Sequence, residues 1–261
     1  MKTNKELMAE AREALKGKWA VAIGIGFLYS LILNVVAIIP GVGSIASYIV
    51  SGPMIVGICY AYWQIIIKND VSISDLFAGF TKFGRHLGGY VLYMLIIMAW
   101  SLLFVVAVII VVITDVGFSA DALKTFADIK SLEPELIAKL IGSSLLLIPA
   151  IIAQIAYSQT PFIYANDAEI GAVDALKKSC LIMKGYKLKY FWLGFRFIGW
   201  MVLCLLTLFI GYLWLFPYIM VSYAAFYEDI KAEHEGNQGL GAVEPKDEKF
   251  PQATLPETYK N

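Results

Sequence analysis

Charge is what this sequence has least of for its length. Only 16% of its 261 residues are Asp, Glu, Lys or Arg, against 59% hydrophobic and 14% aromatic. That is more apolar surface than a soluble core of this size can bury, so an ordinary water-soluble globule is excluded and lipid is the implied solvent. The signs cancel, 21 basic against 21 acidic, which leaves no general basic excess for nucleic acid. Cysteine and histidine are nearly as scarce. Cys59, Cys180 and Cys204 form no CxxC pair and read as packing residues; His86 and His234 lie far apart in the chain, with no intramembrane acid and histidine cluster to complete a metal site. No catalytic residue, metal or cofactor is expected. The glycine pairs "GIG" at 24–26 and "GVG" at 41–43 follow no strand and lack the remaining residues of a phosphate loop, so they read as helix packing.

Long hydrophobic runs, in contrast, are abundant. Trp19 to Ile39, Gly43 to Ile67, Gly89 to Ile113, Leu140 to Tyr164 and Phe191 to Ile210 each meet the requirement of roughly 20 apolar residues for a ~30 Å hydrocarbon core. A shorter sixth window, Leu213 to Tyr227, follows Gly211 and Tyr212 closely. Gly211 is the residue able to turn the chain sharply there, with Tyr212, Trp214 and Tyr218 as interfacial anchors. The expectation is therefore an all-α polytopic transmembrane bundle of six spans, with five as the alternative if Phe191 to Tyr227 is one crossing. The charged first eighteen residues and the length of the first window do not resemble a cleavable secretory signal.

The cations alternate between loops. Lys2, Lys5, Arg12, Lys16 and Lys18 precede the first span; Lys68, Lys82 and Arg85 follow the second; Lys177, Lys178, Lys184, Lys187 and Lys189 follow the fourth; the turns after the first and fifth carry none. By the positive-inside rule both termini are cytoplasmic and the loop 114–139 is external. The chain then divides into an amphipathic N-terminal helix (1–18), a transmembrane bundle (19–227) with an inner basic loop (166–190), and a polar tail (228–261) whose composition predicts a disordered cytoplasmic segment. Within the external loop, Leu123, Phe126, Ile129 and Leu132 fall at helical spacing.

Each odd-numbered span is preceded by a short amphipathic stretch with its own start signal: Thr3 with Glu6, Ser74 with Asp75, Asn166 with Glu169. The apolar stripes are Leu7, Ala11 and Leu15; Leu76, Phe77 and Phe80; and Ile170, Val173, Leu176, Cys180 and Met183, and such helices are expected to lie in the interface plane. The even-numbered members carry Pro53, then Pro149 and Pro161, then Pro217, each freeing a carbonyl that a neighbouring helix must satisfy. "LKGKW" at 15–19 echoes "MKGYK" at 183–187, which suggests a threefold repeat. Gly43, Ser47 and Ser51, continued by Gly57 and Ala61, allow close approach of another backbone to the second span.

Candidate site residues come from "KKSCLIMKGYKLKYFWLGFRFIGW", 177–200. Lys177, Lys178, Lys184, Lys187 and Lys189 would face the inner leaflet as a collective charge for anionic lipid headgroups. Arg196 lies roughly 9 Å beyond Tyr190 along a helix, close enough for its long stem to snorkel back to the same headgroups or to find an internal partner. Asn34, Gln64, Gln154 and Gln159 are polar at membrane depth, and each could line a path or merely bond a neighbouring helix.

The stretch 179–200 followed by "IGYLWLFPYIMVSYAAFY", with "ALKGKW", "SGPMIVG" and "DLFAGF" in order before it, resembles the bacterial integral-membrane family filed as domain of unknown function nine-seven-five, over about residues 8 to 228. The resemblance implies a multi-pass protein of the bacterial plasma membrane with no assigned reaction, cofactor or catalytic residue. A looser similarity to membrane regions attached to some glycerophosphodiester phosphodiesterases points toward lipid contact. The reading reached is a non-enzymatic plasma-membrane protein that engages anionic lipid at the inner leaflet, a membrane-protein partner or a second copy of itself, and no nucleic acid. A small transporter or channel is the alternative, and an intramembrane enzyme comes last.

Overall fold

The first helix begins where the sequence places a cap. In the computed structural model, which describes residues 1–115 and 134–241, α1 (Asn4–Ala14) is opened by a reciprocal pair: the Thr3 amide donates to Glu6 Oε2 at 2.6 Å and the Glu6 amide to Thr3 Oγ1 at 3.3 Å. Its stripe of Leu7, Ala11 and Leu15 is fully buried. A left-handed Gly17, φ 76°, turns the chain into α2 (Trp19–Ala37). The echo of this motif has the same geometry: Met183 is buried like Leu15, and Gly185, φ 88°, separates α8 (Ala172–Ile182) from α9 (Lys187–Phe195).

All described elements are helical. Between these two motifs lie α3 (Gly43–Ile67), a 3-10 segment (Ile73–Phe80), α4 (Phe83–Asp115), α5 (Pro134–Ser144), a short 3-10 turn, α6 (Ile148–Tyr157) and α7 (Thr160–Asn166); α10 (Ile198–Leu206) and α11 (Tyr212–Gly241) complete the chain. Five stretches among the described residues are long and apolar enough to cross a membrane: Trp19–Ala37, Gly43–Ile67, Phe83–Thr114, Pro134–Asn166 and Lys187–Leu206. Leu213 to Tyr227, the first half of α11, is not among them, since the apolar run is only fifteen residues long and Glu228 and Asp229 follow it directly.

The prolines act differently from one another. Pro53 lies inside α3, whereas Pro149 and Pro161 each sit in the first turn of a new helix, so the fourth stretch is broken at Leu145–Leu147 and again at Ser158–Gln159. A first-turn proline lacks only an amide that would be unpaired anyway. Small residues on α3 do admit another backbone, that of the 3-10 segment: a Cβ on Gly57 would lie 1.8 Å from the Leu76 carbonyl oxygen, and one on Gly79 would lie 1.9 Å from that of Pro53.

The core gathers at one end of the bundle, around the last turns of α3, α7 and the middle of α11. Tyr62, Ile58, Phe226 and Tyr227 are essentially inaccessible, the Tyr62 hydroxyl donates to the Ala22 carbonyl at 2.9 Å, and Phe162 stacks on Tyr227 with ring centroids 5.5 Å apart. The loops at this end tie the chain together. Lys18 reaches Asn69 at 2.5 Å, Lys82 reaches Glu169 at 2.5 Å, the Lys2 amide reaches Asp229 at 3.0 Å and Trp63 Nε1 donates to Glu228 at 2.6 Å.

Several expectations are corrected. The polar segment from Glu228 is helical as far as Gly241, because Ile230 is buried and Glu228, Asp229 and Glu233 bond Trp63, Lys2 and Tyr186. The turn before α11 is made by Leu208 and Phe209, with φ of 50° and 64°; Gly211 is required for space instead, a Cβ there lying 3.0 Å from Cys204 Sγ. Ser72, not Ser74, pairs with Asp75 to open the 3-10 segment. α8 starts at Ala172 rather than near Asn166, since Asn166 ends α7 and accepts from Lys231 at 2.9 Å while Glu169 is taken by Lys82 and Arg85. On α8 the buried face is Ala175, Leu176, Ser179 and Ile182, leaving Val173 51% exposed. Ser179 turns that face inward: its Oγ donates to the Ala156 carbonyl at 2.8 Å and accepts from the Gln159 amide at 3.3 Å, closing the break between α6 and α7. The helical spacing in 123–132 and the last part of the tail, 242–261, lie outside the described residues.

Candidate functional site

The cations of the 177–189 stretch start from a short amphipathic helix, the Gly185 turn and the first turn of α9, and the fold separates them. Lys177 and Lys178 flank a cleft of about 500 Å³ that Lys231, His234 and Glu235 complete from α11, with Tyr227 beneath. The Lys231 ammonium there lies 5.6 Å from the Trp63 ring centroid. Lys184 lines a neighbouring groove along α8, beside Cys180, Tyr157 and Leu92, which Lys177 also borders. Lys189 turns inward to Asp229 at 3.5 Å and to the Lys2 carbonyl, while the Asn4 side chain donates to the Lys189 carbonyl at 3.0 Å. Lys187 is half-buried in the first turn of α9, apart from both. Arg196 is exposed at the turn between α9 and α10, with no ion pair recorded to a described residue. Sequence reasoning found Lys177 and Lys178 but missed Lys231 and His234, which join them only because α11 continues past Glu228.

Electrostatics at this end is local. Lys82 foremost, then Arg85, holds the exposed Glu169 carboxyl below its ordinary value. The hydrogen bond from the Tyr186 hydroxyl to Glu233, 2.7 Å, together with the charges of Glu233 and Asp229, pushes the phenol up. Both pairs lie at the surface and contribute little each.

A second concavity is built from helix breaks. α3 contributes Gly52, Ile55 and Val56; α4 contributes His86, Gly89, Tyr90 and Tyr93; the α6–α7 break contributes Gln154, Tyr157, Ser158 and Thr160 with Tyr164; and Tyr190 comes from α9. The cavity volume is about 310 Å³. His86 is buried with Nδ1 2.5 Å from the Gly79 carbonyl. A carbonyl only accepts, so Nδ1 carries the proton and the neutral ring presents Nε2 as an acceptor. His86 Nε2, Thr160 Oγ1 and Tyr164 OH are buried without a hydrogen-bond partner. Gly89 is dictated by this arrangement, since a Cβ would sit 2.1 Å from the Tyr164 oxygen. Gln154 lines the cavity, Gln159 donates to Ser158 at 2.9 Å, and Asn34 bonds within its own helix to Ser30 at 2.7 Å. The tyrosine lining was overlooked in the sequence, although His86, Gly89, Tyr90 and Tyr93 fall at i, i+3, i+4 and i+7, the mark of one helix face.

A family model described as protein of unknown function (DUF975) matches residues 1–234. No curated protein and no solved structure matches the chain.

Proposed function

The chain belongs to the DUF975 family, and from its five long apolar helices and the basic end of the bundle we infer that it is a non-enzymatic protein of the bacterial plasma membrane, with six crossings and both termini cytoplasmic, that engages anionic lipid at the inner leaflet. The observation that carries the reading is the shared end. Residues 2 and 229 hydrogen-bond, and Met1 lies 3.9 Å from Glu233, which supports an even number of crossings between them. On this reading the first half of α11, shorter than the five apolar stretches, supplies the sixth crossing. Lys177, Lys178, Lys231 and His234 meet at that end around one cleft with Glu235 as its one carboxylate among the described residues, a concavity in which lysines outnumber acids and which suits a phosphate or carboxylate headgroup. Lys184, Lys187 and Arg196 add charge along the same boundary, and Arg196, exposed at a helix turn, is free to extend toward headgroups.

The test is lipid retention by native mass spectrometry on the purified protein. Phosphatidylglycerol should be retained over phosphatidylcholine, in a salt-sensitive manner, at about 1 kcal/mol per lysine. Single changes of Lys177, Lys178 or Lys231 to Gln should reduce retention by about fivefold at most, and the triple change should abolish the preference. Equal retention of both lipids by the unaltered protein would end this reading.

A transporter or channel is the second reading, favoured by one observation: the helix interruption at Ser158–Gln159 lines a polar cavity, the arrangement found where discontinuous helices form transport sites. Flux across liposomes containing the purified protein distinguishes it.

A further inference from the structure

We propose that the cavity between α3, α4, the α6–α7 break and α9 is a binding site for one uncharged, polyhydroxylated unit, a sugar or glycerol moiety, carried either by a free molecule or by the headgroup of a neutral lipid. This goes beyond the anionic-lipid surface and does not rest on it, because the two concavities share no residue.

Among the described residues the lining contains no Asp, Glu, Lys or Arg. Arg85, next to His86 in the chain, is outside the lining and is held by Glu169 at 3.4 Å, so an ion entering the cavity would leave water without a counter-charge in the lining, which argues against both phosphate and free cations. The lining is nevertheless rich in hydrogen-bonding groups: His86, Gln154, Ser158, Thr160 and five tyrosines, Tyr90, Tyr93, Tyr157, Tyr164 and Tyr190. Three of these groups are left incomplete. His86 is 1% exposed, Tyr164 2% and Thr160 5%, and each keeps one polar atom with no partner. Unpartnered buried polar atoms destabilise a fold, so their concentration around one cavity is explained by a ligand that completes them.

The donor and acceptor pattern selects the ligand. Nε2 of the neutral His86 ring needs a donor, while the Thr160 and Tyr164 hydroxyls can each donate or accept. A hydrocarbon offers neither, and a methylated ammonium offers no donor to Nε2. Neighbouring hydroxyl groups offer both. Aromatic faces with Ile55, Val56 and Pro161 supply the apolar surface on which the C–H side of such a unit rests. A volume of about 310 Å³ stands at the lower end of small-molecule sites, ~300 to 1,000 Å³, and suits one monosaccharide-sized unit. Gly89 and Gly52 keep α4 close, a Cβ on Gly52 lying 3.0 Å from that of Tyr90.

The experiment uses the full-length protein in a detergent without a sugar headgroup, with thermal unfolding as readout. The probes are glucose, glycerol, monoglucosyl diacylglycerol, unglycosylated diacylglycerol and phosphatidylcholine. A saturable upward shift with monoglucosyl diacylglycerol alone identifies a lipid-borne headgroup; a shift with glucose or glycerol identifies a free ligand; both outcomes support the site. Thr160→Val and Tyr164→Phe each remove only an unpartnered hydroxyl. Without ligand they should leave the Tm unchanged or raise it by about 2–4 °C, and they should weaken the ligand response about tenfold. The proposal is overturned if no hydroxylated probe shifts the transition, if diacylglycerol or phosphatidylcholine does so equally well, or if both variants lower the Tm in the absence of ligand, which would mean that those hydroxyls are bonded within the protein. Leu206→Ala, on the outward face of α10, should leave the response intact.

Discussion

The two halves of α3 are similarly apolar and live in different surroundings. From Met54 to Ile65 nearly every residue is buried, with Met54, Ala61 and Tyr62 at 0% exposure; from Gly43 to Ile49 the same helix shows Ile45 at 66% and Tyr48 at 65%. The buried half is covered by protein and uses glycine, alanine and hydrogen-bonded aromatics that let other backbones approach. The exposed half presents branched and aromatic side chains outward, as do α4 and α10, where the apolar window of α4 is wholly unburied. In a chain with five helices long and apolar enough to cross a membrane, hydropathy alone does not separate a core from a surface; side-chain size and the pairing of polar atoms do.

The sharpest way to break the contrast is to add volume at a covered position and at an open one. Gly57→Leu places atoms where a Cβ alone would already lie 1.8 Å from the Leu76 carbonyl, and should cost about 3 kcal/mol or more, read as loss of the monodisperse peak in size-exclusion chromatography. Gly24→Ala, with nothing within 4 Å of its Cβ, should be neutral or stabilising by up to ~1 kcal/mol. Deleting volume should follow with a similar asymmetry. Phe226→Ala, at 0% exposure, should cost about 3–5 kcal/mol, whereas Leu206→Ala, 75% exposed, should change the detergent-denaturation midpoint hardly at all.

Polar deletions come next. Ser179→Ala removes the hydroxyl that joins the Ala156 carbonyl to the Gln159 amide and should cost about 1–3 kcal/mol; Ser47→Ala, whose hydroxyl bonds only its own helix at Ser44, should not register in the same thermal scan. The smallest effect concerns pH. Glu169 is held below the ordinary 4.5 by Lys82 and Arg85, so its ion-pair contribution is complete above 4.5 and is lost as pH falls through the depressed value. Glu169→Gln should flatten the acid side of the Tm-against-pH curve slightly, and the difference should shrink with salt.

What could be read from the chain follows from the range of each interaction. Capping at Thr3 and Glu6 and the extent of α3 are local: they depend on neighbours within four residues, and the sequence displays them. The start of α8 was misplaced for the opposite reason. Asn166 and Glu169 have the spacing of a cap, but Lys231, 65 positions away, and Lys82 take their side chains first. The buried face of α8 was misjudged because Ser179 is polar by type and becomes a core residue only when the α6–α7 break presents it with a free carbonyl and an amide.

The sequence by itself determined the helical class, the presence of helices long and apolar enough to cross a membrane, the opening of α1 and the extent of α3, because hydropathy and capping act over one or two turns. Tertiary structure alone decided which apolar faces meet protein, that Lys231 and His234 stand with Lys177 and Lys178, and that His86, Thr160 and Tyr164 surround one cavity. Those outcomes depend on contacts between residues tens of positions apart, and no periodicity within a single helix specifies which partner will arrive.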